Sequence, residues 1–363
     1  MSIIVPESSV GSNSGLVRSR ARSLAKLTKT HGLKICRRDE LTIRRLRRGD
    51  RFSFVGANGR AIKSATTVSR LRSLAVPPAY EDVRYAADPN AHLQAVGRDA
   101  AGRLQYRYHP DWEKVRELRK ARRLVRLISV LPRIRRSVAQ RLARAEPTRE
   151  FALAAVIELV ASTAIRPGGE TYATLHRSRG AATLLKSNVR TEPDRLVLSF
   201  RGKGGKSVQK ECRAANLLRA VKVLVTLPGR RLFQYRDDGG EVRGVTSAQV
   251  NVFLREIAGV RISLKDFRTL MASAAVLESL AHCVPAASAR ARNRQVMEAV
   301  RDCAEELANT PAICRKSYVH ETIVTAFEDG LLERFSARLK ASRSQAKREQ
   351  VLAQVIGLAA SGS

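Results

Sequence analysis

Apolar and polar positions change their rhythm along the chain. From about Leu41 to Tyr108 short runs alternate, as in Phe52-Ser53-Phe54-Val55 and Leu104-Gln105-Tyr106-Arg107-Tyr108. Turn residues punctuate them at Gly56-Ala57-Asn58-Gly59 and Asp99-Ala100-Ala101-Gly102. Alternation bounded by such residues predicts strands, here a small β-rich domain with one helix near Ser64 to Leu74. From Trp112 onward the period becomes helical: Val115, Leu118, Leu124, Leu127 and Ile128 recur at helix spacing until Pro132, which is expected to interrupt the run. Phe151 to Ala164 is predominantly apolar and reads as a buried helix. Leu196, Leu198 and Phe200 then alternate with Val197, Ser199 and Arg201, and Gly202-Lys203-Gly204-Gly205 turns that strand back into Lys206 to Lys210. Ser247 to Leu332 is helical again. No internal repeat at solenoid spacing is present.

These changes predict an α+β protein: a flexible basic arm over residues 1–35, a β-rich N-terminal domain over 36–110, a mainly α-helical domain over 111–333 carrying a short β-hairpin, and a basic tail over 334–363. The arm, Arg- and Ser-rich from Leu16 to Lys34, lacks the features of a secretory signal; a transit peptide would share its composition.

Charge narrows the class of partner. The 363 residues hold 67 Lys plus Arg against 33 Asp plus Glu, a formal net charge of +34. Solubility does not require that excess, whereas a polyanion rewards it: each phosphate neutralised releases condensed counterions. Membrane attachment is disfavoured because the longest apolar stretch, Phe151 to Ile165, is shorter than a bilayer span and contains Glu158. The five cysteines, Cys36, Cys212, Cys283, Cys303 and Cys314, are scattered without a C-x-x-C pair. Neither a disulfide framework nor a zinc site is indicated, and reduced thiols in a cytoplasmic compartment are the simplest account.

Four short segments could carry chemistry. Gly202 to Ser207 looks like a phosphate-binding P-loop, but the leading glycine of that motif would fall on Phe200, so what remains is Lys203 on a thin hairpin tip. Arg166 stands where an apolar helix meets Pro167-Gly168-Gly169. Lys265 and Arg268 share one helix face, where two cations repel unless an anion sits between them. Val296, Val300, Cys303 and Leu307 stripe a helix that ends at Asn309; Thr310-Pro311 starts another, near whose end lies Tyr318 beside Arg315 and Lys316. Each segment alone is more often a solvated turn, a cap, a basic helix or a packed tyrosine.

In this order they are not ordinary. Arg, hairpin Lys, Lys-x-x-Arg, then Asn nine residues before Tyr resembles the active-site series of type IB DNA topoisomerases. The resemblance spans about Gly32 to Leu332 and includes Val76-Pro77-Pro78-Ala79-Tyr80, Gly97-Arg98-Asp99 and Gly102-Arg103-Leu104-Gln105-Tyr106. It is closest to the compact bacterial and poxvirus-like branch, and it implies a mainly α catalytic core and a β-rich DNA-binding domain. It also implies Tyr318 as the nucleophile that forms a 3′-phosphotyrosyl ester. Arg166, Lys203, Lys265, Arg268 and Asn309 are implied as its catalytic partners. Gln105, Tyr106 and Tyr108 fall on a strand that family members lay into the major groove. Arg98, Arg103, Lys206, Arg315 and Lys316 complete the expected DNA contacts. Leu270-Met271, Gly168-Gly169 and the stretch His176 to Ala182 depart from common family patterns.

The implied reaction is relaxation of supercoiled duplex DNA by a monomer that clamps it, in the cytoplasm at a bacterial nucleoid, with no ATP, metal or other cofactor. Two other readings share the charge or the chemistry: a tyrosine site-specific recombinase, which usually carries H-x-x-R where this chain has Lys265 and Arg268, and a non-enzymatic basic DNA-binding protein.

Overall fold

The computed structural model describes residues 24–361 apart from 26, 50, 342 and 343. The chain divides into two compact units, residues 1–119 and 120–363. Most of the expected basic arm lies outside the described residues. Its end does not: residues 27–30 are helical, and Leu27 and Leu33 are buried against Trp112 and Val115.

In the first unit, strands β1 (Ile43–Arg48), β2 (Arg51–Val55), β3 (Glu81–Tyr85), β4 (Leu93–Arg98) and β5 (Leu104–Tyr108) form one antiparallel sheet in the order β2-β1-β3-β4-β5. Helix α1 (Ala65–Ser73), capped by Ser64, buries Leu71 with Ile43, Phe54, Val83, Tyr85 and Ala95 on one side. Leu41, Ala86, Ala91, Leu93 and Val96 form a second cluster. β4 is buried from Leu93 to Gly97, which explains why its sequence does not alternate.

The division falls inside α2 (Trp112–Ala143), which runs unbroken through Pro132, contrary to the expected interruption. Proline removes one backbone donor there. Burial of Leu124, Leu127, Leu131, Ile134 and Val138 along the helix, at roughly 1.5–3 kcal/mol per large apolar side chain, outweighs that loss.

At the centre of the second unit is α3 (Arg149–Thr163), buried from Phe151 to Ile157 and again at Leu159 and Val160. A helix buried over most of its surface needs apolar residues on nearly every face, as its sequence supplies, with Glu158, Ala161 and Ser162 left on the less buried side. A three-stranded sheet β6 (Val189–Thr191), β7 (Leu196–Arg201) and β8 (Ser207–Cys212) and a two-stranded ribbon β9 (Gln234–Arg236) and β10 (Val242–Gly244) accompany it. The remaining helices are α4 (Glu170–Leu175), α5 (Ala215–Leu224), α6 (Ser247–Ala258), α7 (Leu264–Ala281), α8 (Ala289–Glu306), α9 (Pro311–Ser317) and α10 (Glu321–Glu328).

The expected basic tail is instead two helices, α11 (Glu333–Ala341) and α12 (Gln345–Ser361). Leu339, Val351, Leu352, Val355 and Ile356 are buried in the main core, and Glu349, 3% exposed, takes a two-pronged ion pair from Arg135 at 2.6 and 2.9 Å. Apolar burial holds this segment in place despite its charge. Among the described residues no helix is long and apolar enough to cross a membrane.

Candidate active site

Arg166 is delivered by the end of α3. Ala164 adopts a left-handed conformation (φ 50°, ψ 22°), which stops the helix and turns its carbonyl oxygen away from the helix axis. The turn beyond it is pinned by a close crossing of two glycines. A Cβ on Gly180 would lie 2.5 Å from the Arg166 carbonyl oxygen and from the Gly168 nitrogen, and Gly168 has φ +84°. Ala181 and Ala182 donate backbone hydrogen bonds to the carbonyls of Arg166 and Pro167 at 2.8 and 2.9 Å. Two of the departures from family pattern thus meet in the element that positions the arginine.

Arg268 projects from α7 and is 1% exposed. Its guanidinium donates to the carbonyl of Ala164 through Nη1 and to that of Leu307 through Nη2, the latter at 3.0 Å. Arg166 donates to the Ala308 carbonyl at 3.4 and 3.5 Å and to Asn309 Oδ1 at 2.5 Å. Ala308, at φ 48°, is a second left-handed alanine, following α8. Both guanidinium groups are therefore held by neutral oxygens, two of them on residues in a conformation that costs on the order of 1–3 kcal/mol.

Tyr318 closes α9, which Thr310 caps by accepting from the Ile313 amide and which starts on Pro311. The tyrosine N–H donates to the Cys314 carbonyl at 2.9 Å, its own carbonyl accepts from Ser273 Oγ at 3.0 Å, and Lys120 Nζ donates to the next carbonyl, Val319, at 2.8 Å. Arg268 Cζ lies 5.0 Å and Lys265 Nζ 5.9 Å from the ring centroid. The shared helix face of Lys265 and Arg268 thus looks onto a phenol. Burial pushes that phenol up, but the charge of Arg268, then those of Lys265 and Arg166, outweighs it, and the pKa falls below its ordinary value. The Arg166 pKa is lowered by burial and by the Arg268 charge.

Lys203 sits at the tip between β7 and β8, exposed on a turn in which Gly204 and Gly205 take φ of 72° and 78°. A side chain with a Cβ is strained there, so the narrow tip depends on glycine. Lys203 lines the same cleft as Arg166, Arg268, Leu307 and Ala308. So do three residues that sequence reasoning missed: Arg179, Lys210 and Glu306. Lys210 is paired with Glu306 at 3.9 Å, and burial lowers its pKa. Only the strand register of β8 could have signalled it. Two buried donors in this site, Arg268 Nε and Asn309 Nδ2, have no acceptor among the described residues.

The other expected DNA contacts divide. In the first unit Tyr106 and Tyr108 are 44% and 41% exposed and stacked with centroids 6.2 Å apart. Gln105 donates to Asp99 at 2.9 Å, Arg103 pairs with the same carboxylate, and Arg98 reaches the Gly102 carbonyl and Asp82. In the second unit Lys206 and Lys316 are exposed, whereas Arg315 is engaged by Glu321 through two contacts of 2.8 Å. That ion pair competes with any phosphate for Arg315.

Residues 109–348 match the family model for the eukaryotic DNA topoisomerase I catalytic core, and residues 51–99 that for the bacterial DNA topoisomerase IB N-terminal domain. The chain is 29% identical over 284 residues to DNA topoisomerase 1B of Acanthamoeba polyphaga mimivirus, covering 76% of this chain and 84% of that protein. It is 25% identical over 240 residues to DNA topoisomerase 1B of Vaccinia virus (strain Copenhagen), covering 64% and 72%. With the catalytic-core match spanning more than half of its length, the chain belongs to the type IB DNA topoisomerase family.

Proposed function

We propose that Tyr318 attacks a backbone phosphorus of duplex DNA, and that the enzyme relaxes supercoils through the resulting 3′-phosphotyrosyl ester. The observation that carries this reading is the buried Arg268 guanidinium and the Lys265 ammonium set against one phenol, whose pKa the half-buried Arg166 also lowers. Phosphoryl transfer needs mainly positioning and stabilisation of growing negative charge. Arg166 and Arg268 present planar forks suited to non-bridging oxygens, and Asn309 Nδ2 and Arg268 Nε are donors still lacking an acceptor.

In the forward step the Tyr318 oxygen forms a bond to phosphorus as the bond to the 5′ oxygen breaks. Lys203 Nζ supplies a proton to that departing oxygen. The ester conserves the energy of the broken linkage, so the free 5′ hydroxyl attacks it without ATP once the strand has swivelled. Lys265, beside the ring, favours phenolate. In the first unit Tyr106, Tyr108 and Gln105 read the duplex, and Arg98, Arg103, Lys206, Arg315 and Lys316 take phosphates, Arg315 after exchanging Glu321. The enzyme would act as a monomer that clamps the duplex. The unpaired cysteines fit a reducing compartment such as the cytoplasm.

Relaxation of a supercoiled plasmid in EDTA without ATP tests the reading, with Tyr318→Phe as control. The variant is expected to bind duplex DNA and form no covalent adduct on a denaturing gel; a normal yield of adduct from it would place the nucleophile elsewhere.

A further inference from the structure

Cys303 on α8 and Cys314 on α9 are 3% and 0% exposed, and their sulfurs lie 3.6 Å apart. Neither thiol has a role in the reaction proposed above. Their backbones, however, hold both sides of the site. The Cys314 carbonyl accepts the amides of Tyr318 and Val319 at 2.9 and 3.2 Å. The Cys303 carbonyl accepts the amide of Leu307 at 3.0 Å, and the Leu307 carbonyl in turn holds Arg268 at 3.0 Å.

We infer that Cys303 and Cys314 form a reversible disulfide under peroxide, and that this modification switches off the tyrosine site. The inference about activity rests on the Tyr318 reading; the inference about the bond does not. Bond formation requires the sulfurs to close from 3.6 Å to about 2.05 Å. That closure of about 1.5 Å draws together the carbonyl that seats Tyr318 and the segment that seats Arg268. A misplacement of about 1 Å in reacting groups costs on the order of 10²-fold in rate. The step balances with a peroxide as oxidant. One thiol gives up its proton, and the thiolate attacks a peroxide oxygen to become a sulfenic acid as hydroxide leaves and takes up that proton as water; the second thiol displaces hydroxide from that sulfur, and its proton completes a second water. Either sulfur can open the sequence, since each lies within reach of the other. Burial of both sulfurs makes the reaction dependent on local opening of α9.

The 363-residue chain, with Cys36→Ser and Cys283→Ser to remove the two more accessible thiols, would be treated with hydrogen peroxide, alkylated and mapped by mass spectrometry. A peptide joining Cys303 to Cys314 is expected to accumulate in step with a fall of about 10²-fold in adduct formation, and dithiothreitol should reverse both. Cys303→Ala, checked for folding by its thermal melt, should keep its activity in peroxide. No cross-linked peptide, or a cross-linked protein that still forms adduct at the reduced rate, would overturn the proposal. Absence of adduct in the reduced protein would instead indict the Tyr318 reading.

Discussion

Replacing Arg268 separates what the guanidinium does for the fold from what it does for the reaction. Arg268→Ala leaves two buried carbonyls, those of Ala164 and Leu307, without their donor. An unsatisfied buried acceptor costs about 1–3 kcal/mol, so the loss is roughly 2–6 kcal/mol. Arg268→Lys keeps a charge and one donor direction but not the fork, so one carbonyl is orphaned at about 1–3 kcal/mol. In a unit of this size that lowers Tm by roughly 2–4 °C per kcal/mol.

The chemical effect is separate. Removing one preorganised donor to a developing oxyanion costs ~10²–10³ in rate. Single-turnover adduct formation, measured well below the melting temperature of each variant, isolates this second effect. The pH profile adds a third reading. Arg268 is the largest charge depressing the Tyr318 pKa, so in Arg268→Ala the phenol titrates at higher pH and the rising limb of cleavage moves the same way, tenfold in phenolate per unit below that pKa. An Arg268→Lys variant that melts early yet cleaves at the parent rate, with an unmoved profile, would reduce Arg268 to a structural residue.

Three further outcomes follow from the geometry. Lys203→Ala should slow cleavage by about 10²–10⁴-fold, and a 5′-phosphorothiolate substrate, whose leaving group needs no proton, should restore it; failure of rescue would move the acid elsewhere in the cleft, with Lys210 the first alternative. Gly180→Ala places a methyl 2.5 Å from the Arg166 carbonyl oxygen, so the turn must shift; a stability loss of about 1–3 kcal/mol is expected, with adduct formation down on the order of 10²-fold, and a variant with unchanged melting and rate would contradict the crossing described here. Duplex binding should weaken steeply with salt, log K falling by about 0.9 per phosphate neutralised for each decade of salt; a flat titration would contradict the electrostatic reading of the +34 charge.

Local chemistry was legible in the sequence where a single element decides it. The β7–β8 hairpin, the Thr310-Pro311 helix start and the shared face of Lys265 and Arg268 follow from alternation, capping and helical period. Elements decided by distant packing were not legible. Pro132 looks like a stop until Leu131 and Ile134 are seen buried beside it. Residues 334–361 look like a basic tail because their charge obscures the five apolar side chains that anchor them. Within the site, Arg268 looked more like an ordinary cation on a basic helix than a residue 1% exposed. Lys210, Glu306 and the Cys303–Cys314 pair depend on contacts between elements that no local pattern encodes.

Neutral oxygens, rather than carboxylates, seat both Arg166 and Arg268: the backbone carbonyls of Ala164 and Leu307 for Arg268, the Asn309 amide oxygen and the Ala308 carbonyl for Arg166. A carboxylate would hold a guanidinium as firmly but would neutralise it, and a phosphate arriving later would find a spent charge. Held by neutral oxygens, the two cations are not neutralised by their partners and repel one another; the Arg166 pKa is lowered first by burial and then by the Arg268 charge. The nucleic acid is then the missing counterion of the folded protein, and the catalytic unit should be harder to unfold when duplex is bound than when it is free.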